Sequence, residues 1–182
     1  MPTEGAERTL GAYVGELVAI LADSDPAAFV RLRAIVAGYR GRIGLDDEVV
    51  EVFFNAAGMS VMPAPSGLPV HGEGSTDRAT VCAILDGTLE LTDAILSGHL
   101  QVRGDCEAAM RLFAAIDILL DGSTRIPQLQ HLAHQFRDGA RKRHAGGKNV
   151  RPPALRPGVP FGPGDLPVAE EALLRRSDLW SI

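Results

Sequence analysis

Apolar residues recur along this chain with two different spacings, and the switches between them divide it into elements. Leu10, Tyr13, Val14, Leu17, Val18 and Leu21 return every three or four positions, which predicts a helix over Thr9–Ala22. Ser24-Asp25-Pro26 supplies a capping side chain and then a proline in the first helical turn, so a second helix follows to about Ala37. Its stripe is Phe29, Leu32, Ile35 and Val36. Gly38 ends that pattern, and the period drops to two. Tyr39, Gly41, Ile43 and Leu45 alternate with Arg40, Arg42 and Gly44, a strand, and Asp46-Asp47 turns the chain. Glu48–Asn55 is a second strand with Val50, Val52 and Phe54 on one face and Val49, Glu51 and Phe53 on the other. Ala57-Gly58 turns again, and Met59–Met62 is a third strand ended by Pro63 and Pro65.

The stretch from Pro63 to Arg78 reads as a loop by composition, and Ala79–Leu85 (ATVCAIL) as a β-branched strand. Asp86 then opens a helix through Leu89, Ile95 and Leu96 that stops at Ser97-Gly98. Leu100 and Val102 alternate with Gln101 and Arg103 as a fifth strand. Asp105 caps a helix whose apolar stripe is Ala109, Leu112, Phe113, Ile116, Leu119 and Leu120, with a break expected at Asp121-Gly122. Ser123, Thr124 and Pro127 start another helix, carrying Leu129, Leu132, Ala133 and Phe136. From Arg137 the chain turns basic, then proline- and glycine-rich through Pro167, which predicts an extended segment. A short helix over Val168–Leu174 precedes Leu179-Trp180-Ser181-Ile182.

The phrase Leu96-Ser97-Gly98-His99-Leu100-Gln101-Val102-Arg103-Gly104-Asp105, with Ala108, Ala109 and Leu112 after it, resembles the signature of the sterol carrier protein type two (sterol-transfer) family. The resemblance reaches back to about Asp25 and covers the middle hundred or so residues. It implies an α+β fold, a five-stranded, mostly antiparallel twisted sheet with helices over one face, enclosing an apolar tunnel for lipids. Beside that family the Pro63–Arg78 loop is a modest insertion. The division that follows is an N-terminal helix (1–24), a sterol-carrier-like domain (25–122), a closing helix (123–140) and a basic tail with a short terminal helix (141–182).

Composition narrows the function classes. The chain has 182 residues, 46% hydrophobic and 23% charged, enough for one domain with an extension. Aromatics at 5% and a net charge of −5 speak against a nucleic-acid partner. The charge is uneven: residues 1–136 hold 9 Lys/Arg against 18 Asp/Glu, and 137–156 hold 7 against 1. That basic run suits at most a peripheral membrane contact or an acidic partner. Cys82 and Cys106 lack redox spacing and read as ordinary thiols. No leader and no apolar run of spanning length is evident, so a cytoplasmic protein is expected. Sixteen arginines against two lysines suggest a bacterial source with a GC-rich genome.

The candidate ligand-binding set is Phe53, Met59, Val61, Met62, Ile84, Leu96, Met110, Phe113, Ile116 and Leu120, apolar side chains that the strands and helices can turn inward. Methionines suit irregular ligands. The function this predicts is binding and transfer or sequestration of a lipid, fatty-acyl or polyketide-like molecule without a cofactor. The alternative is a small cyclase or isomerase of secondary metabolism. In that case Glu51 is the catalytic candidate, its carboxyl pushed up by burial if its face is the helix-covered one. His131 and His134 sit one helical turn apart with His144 beyond, but a third ligand and a second shell are missing, so no metal is expected. No nucleophile elbow, HExxH or P-loop is present. Leu179 and Trp180 are the candidate partner-binding residues, for an accessory role, a homodimer or a partner enzyme.

Overall fold

The computed structural model describes residues 8–55 and 58–145. Two helices open it, α1 (Leu10–Ser24) and α2 (Pro26–Val36), each started by a side-chain cap. The Thr9 hydroxyl accepts from the Ala12 amide, and the Asp25 carboxylate accepts from the Ala28 amide at 2.9 Å, with Pro26 in the first turn. Three strands follow, β1 (Arg40–Leu45), β2 (Glu48–Asn55) and β3 (Gly58–Pro63). Asp46 turns the first pair at φ 53°, as an aspartate in a tight turn does. The chain continues through β4 (Gly72–Thr76), α3 (Arg78–Leu85), α4 (Leu91–Leu96), β5 (Gln101–Gly104), α5 (Cys106–Arg125) and α6 (Pro127–Ala145).

The five strands make one mixed sheet in the order β3-β2-β1-β4-β5. β1 pairs with β4 in parallel; the other three pairings are antiparallel. The register sorts the side chains. Ile43, Val50 and Gly74 lie abreast, as do Val52 and Val61, Phe54 and Met59, and Gly74 and Val102. Every strand residue packed into an apolar cluster (Ile43, Leu45, Val50, Phe54, Met59, Val61, Val102) is on this one face, against the helices. Arg40, Arg42, Glu51, Phe53, Met62, Glu73 and Arg103 are on the other. The expected α+β architecture, a mostly antiparallel five-stranded sheet with helices over one face, is what the chain forms.

Four local expectations are corrected. The Ala79–Leu85 run is not a strand but most of α3: Asp77 accepts from the Thr80 amide at 2.7 Å, and Val81, Cys82 and Leu85 then fall on one side against Phe136. Asp86 therefore ends a helix instead of opening one. The missing strand is β4, inside the expected loop. Its sequence GEGST has no strand propensity, and it is held by parallel pairing to β1 and antiparallel pairing to β5. The helix opened by Asp105 does not break at Asp121-Gly122. Gly122 is buried where an added Cβ would lie 3.2 Å from Leu129 Cδ1 and 3.3 Å from Leu21 Cδ1, so it is a close-packing position, and Ile126-Pro127 makes the break. The basic residues from Arg137 to Arg143 continue α6 as helix. They are held by ion pairs from Arg137 to Asp86 (2.7 Å) and from Arg143 to Asp47 (3.4 Å) and Glu48 (3.2 Å). The turn residue Ala57, the side chain of His144 and everything from 146 on lie outside the described residues.

One ion network ties the helices to the end of the sheet. The Arg78 guanidinium is bound to the Asp46 carboxylate and, at 2.6 Å, to Glu48 Oε1, while Glu48 Oε2 accepts from the Leu10 amide at 2.6 Å. Arg143 adds to Glu48 from α6. Glu48 thus gathers α1, α3 and α6 at the β1–β2 turn. The side chain of Arg78 is 8% exposed, so its two carboxylates are what make its burial tolerable.

Candidate functional site

Two sites are built on the two faces of the sheet. The first lies between the central strands and the helices. α1 lies over β2 and β3: a Cβ on Gly11 would sit 3.4 Å from Val61 Cγ1 and 3.6 Å from Val50 Cγ1. α5 lies over β4: a Cβ on Gly72 would sit 3.5 Å from Ala108 Cβ, and one on Gly74 3.8 Å from Leu112 Cδ2. Between these two helices runs β1, the middle strand of five, and Ile43 is its helix-facing residue at mid-length. In a solid core that position is fully covered. Ile43 is only half-buried, and so are Gly41, Val52, Gly72 and Gly74 beside it. On α5, Leu112, Ile116 and Leu120 recur every four residues and are also half-buried.

The fully buried apolar residues agree with this. They form three clusters rather than one. Val18, Leu21, Leu32, Phe54, Ala115 and Leu129 join α1, α2, α5 and α6. Leu10, Leu45, Val50 and Phe136 join α1, the β1–β2 hairpin and α6, with half-buried Ile43 packed on them. Ile95, Ala109 and Phe113 join α4 to α5, with Met110 and Val102 alongside. Half-buried Tyr13 packs on both of the first two clusters, and the third is a smaller satellite of them.

Of the sequence-predicted ligand set, the structure puts Met59 and Val61 on the helix-facing side of β3, and Met110, Phe113, Ile116 and Leu120 along α5. Ile84 is half-buried on α3, and Leu96 is 59% exposed at the end of α4. Phe53 and Met62 are on the opposite face, level with Arg40 and Glu51 respectively, so the sheet separates them from the rest. Their parity with Glu51 along β2 and β3 carried that information. The residue missed is Ile43. The signal for it was the glycine-rich sequence around β1 and β4, which leaves Ile43 without a side chain beside it on the β4 side.

The second site is on the open face. Glu51 has no exposed surface although it lies on the side away from the helices. The Ser66 hydroxyl donates to Glu51 Oε2 and the Ser66 amide to Oε1 at 3.3 Å. Arg42 donates to Oε1 at 3.0 Å while also binding Glu73, and Arg40 Nη1 stands 3.7 Å from Oε2 with its guanidinium over the Phe53 ring. The hydrogen bond from Ser66 is the largest influence on this carboxyl and, with Arg42, outweighs burial, so its pKa lies below the usual glutamate value. The raised pKa that the enzyme alternative assigned to Glu51 is therefore corrected: its face is not the helix-covered one, and its hydrogen bonds favour the anion. Both cysteines are free and half-buried, burial pushing the Cys82 thiol up. His131 and His134 are both exposed on α6, and among the described residues no group of three His, Cys, Asp or Glu could hold a metal ion. No described helix is long and apolar enough to cross a membrane.

Fold and site together define the class: an α+β protein with one face of a mixed five-stranded sheet under helices, and apolar side chains half-buried between the two layers. No family model and no curated protein matches the chain. Among solved structures it is similar to a ubiquinone synthesis protein described as UbiJ-SCP2 (20% identity, 60% of this chain and 94% of that one, TM-score 0.47). It is also similar to the sterol carrier protein domain 2 of Helicoverpa armigera (16% identity, 63% and 91%, TM-score 0.45). A third is a conserved hypothetical protein of Thermus thermophilus described as possibly a sterol carrier protein (17% identity, 72% and 91%, TM-score 0.44).

Proposed function

We propose that this protein binds a hydrophobic small molecule (a lipid, fatty-acyl or polyketide-like chain) between the central strands and α1 and α5, and carries or sequesters it. The observation that supports this reading is the half-burial of Ile43 at the centre of the helix-facing side of the middle strand. The residues that would line such a site are the half-buried Gly41, Val52, Gly72 and Gly74 of the strands and Leu112, Ile116 and Leu120 of α5, with Met59, Val61 and Met110 near them. The helix-facing strand positions are apolar along β1 and β3 except near the β1–β2 turn, so a ligand held against them gains chiefly through burial. Each methylene removed from water is worth ~0.8 kcal/mol, so a chain of modest length reaches micromolar affinity without polar contacts.

The test is uptake. Native mass spectrometry after mild purification, and displacement of a fluorescent fatty acid, are expected to show one apolar molecule per chain. No uptake of any apolar probe would overturn the reading. A cyclase or isomerase role for the same space needs an ionisable group facing it, and Glu51 lies on the other side of the sheet.

A further inference from the structure

We infer that two copies of this chain pair through the outer edge of β3, antiparallel about Ser60, so that their sheets continue into one another. The inference is independent of what the protein binds. β3 is an edge strand, and its neighbours fix which of its backbone groups are spent. The Phe54 carbonyl accepts from the Gly38 amide on the β1 side, and the Val49 carbonyl accepts from the Ala64 amide on the β3 side. Even-numbered residues of β2 therefore bond towards β1 and odd-numbered ones towards β3. In register, Gly58, Ser60 and Met62 spend their backbone groups on Asn55, Phe53 and Glu51. Met59 and Val61 turn both N–H and C=O outwards, and nothing among the described residues pairs with them. The opposite edge is blunted: β5 has four residues, carries Arg103 and ends at Gly104 with φ +144°. β3 has six residues, no charge, and a proline only at its end. An edge this plain is a template for another strand.

Three features make a second copy the occupant. The free groups are self-complementary. Turned antiparallel with Ser60 opposite Ser60, Met59 of each chain faces Val61 of the other. Each of these two pairs exchanges two N–H···O=C bonds, so every free group of both residues is used. A two-fold axis through Ser60 also keeps like faces together, Met59 and Val61 on the helix side and Ser60 and Met62 on the open side. The second feature is Ser60 itself, exposed and small, as the close non-hydrogen-bonded pair at the axis requires. The third is that α1 does not obstruct the approach. It lies over β2 and β3, with a Cβ on Gly11 3.6 Å from Val50 Cγ1 and 3.4 Å from Val61 Cγ1. Its copy across the axis would run about 10 Å away at the usual strand spacing, the distance of packed helices. Tyr13 and Leu17 turn towards the core and α6. The other flank carries Ala12, Gly15 and Ala19, and nothing lies within 4 Å of a Cβ built on Gly15. Two such flanks meet without burying a charge, and the Arg8–Glu16 ion pair (2.7 Å) stays at the polar rim.

Sedimentation velocity and light scattering of the full chain at micromolar concentration are expected to give twice the chain mass, falling towards a monomer on dilution. Hydrogen exchange at the Met59 and Val61 amides should be several-fold slower in the dimer than in the dilute monomer. Ser60→Lys and Ser60→Glu each set like charges opposite one another at the axis and should each raise the dissociation constant several-fold. An equimolar mixture of the two should restore the dimer. Gly15→Arg projects into open surroundings on a single chain and removes a glycine from a helix, so the monomer should keep its fold while the dimer is lost. Ser60 is exposed, and far-UV circular dichroism of dilute samples certifies the fold of all three variants. A monomer at every concentration overturns the inference, whatever else the edge then binds. A dimer indifferent to the Ser60 and Gly15 variants lies on another surface and overturns it equally. A mixture of Ser60→Lys and Ser60→Glu that associates no more tightly than either alone also overturns it.

Discussion

Val50 and Glu51 are adjacent in β2 and point to opposite sides: Val50 is buried under α1 with Leu45 and Phe136, and Glu51 is bound by Arg42 at 3.0 Å and by Ser66 on the other face. The sheet is thus anchored from both sides at one point, by apolar packing and by a buried carboxylate. A one-residue slip of β2 would exchange the two environments, so the pair fixes its register.

Replacing Glu51 by Gln leaves Arg40 and Arg42 facing a neutral amide while keeping its shape. Destabilisation of about 3 kcal/mol is expected, at the lower end for breaking a buried ion pair because Arg42 is 28% exposed and keeps Glu73. Urea unfolding at pH 7 measures it. A loss under about 1 kcal/mol would mean that the carboxylate is spare.

The same carboxylate sets an acid limit. Its folded-state pKa lies below the ordinary value of 4.5, so the unfolded chain binds the proton more readily. Its contribution to stability is complete above that ordinary value and is lost as pH falls through the lower folded-state value. Wild-type stability should fall steeply with acidification below the ordinary value, and the Glu51→Gln chain should fall less steeply. Parallel curves for the two proteins would contradict this.

Truncations compare a filled interior with a hollow one. Leu32 is 1% exposed among α2, α5 and the first cluster, and Leu32→Ala is expected to cost about 2–5 kcal/mol. Ile43→Ala removes a side chain that is only half-covered, and the expected loss is about 1–2 kcal/mol. Equal losses would show that Ile43 is as tightly packed as Leu32. Gly74→Leu places a branched side chain beside Ile43 and under Leu112, and should abolish fatty-acid uptake while the protein still unfolds cooperatively.

Two glycines test close packing. Gly122→Ala improves helix propensity, yet its Cβ would meet Leu129 and Leu21 at 3.2 and 3.3 Å, so a net loss of about 1–2 kcal/mol is expected. Gly104 has φ +144°, and a Cβ there would lie 2.7 Å from the His71 carbonyl oxygen. Gly104→Ala should cost at least about 2 kcal/mol through strain and the displaced β4–β5 pairing. Thermal denaturation ranks the two.

Arg78→Met retains the length of the stem over Phe136 but strips Asp46 and Glu48 of their shared cation. A fall of about 2–4 kcal/mol is expected in urea unfolding, less than for a fully enclosed pair because both carboxylates keep some water. Arg78→Lys should recover part of it, since one ammonium cannot serve both acids with the guanidinium's geometry.

Local chemistry alone was enough for α1, α2 and the β1–β2–β3 meander. Asp25-Pro26 ahead of an apolar stripe at helical spacing marks a helix start, and Glu48–Asn55 is short and rich in β-branched and aromatic residues, as a strand is. The periodic stripe of α5 and the two-faced character of β2 were equally plain, and the second already placed Glu51 and Phe53 on the same side. What tertiary structure decided was everything whose own signal is weak or double. ATVCAIL is short enough to read as strand or helix, and the Asp77 cap with Phe136 to pack against made it helix. GEGST has no preference at all, and it became a strand because β1 and β5 offered free edges on both sides while α5 pressed close enough to need glycine. Gly122 reads as a helix breaker until Leu21 and Leu129 crowd it. The burial of Ile43 and of Glu51 likewise depends on what the rest of the chain puts above and below the sheet, because a residue's spacing fixes which face it takes but not how completely that face is covered.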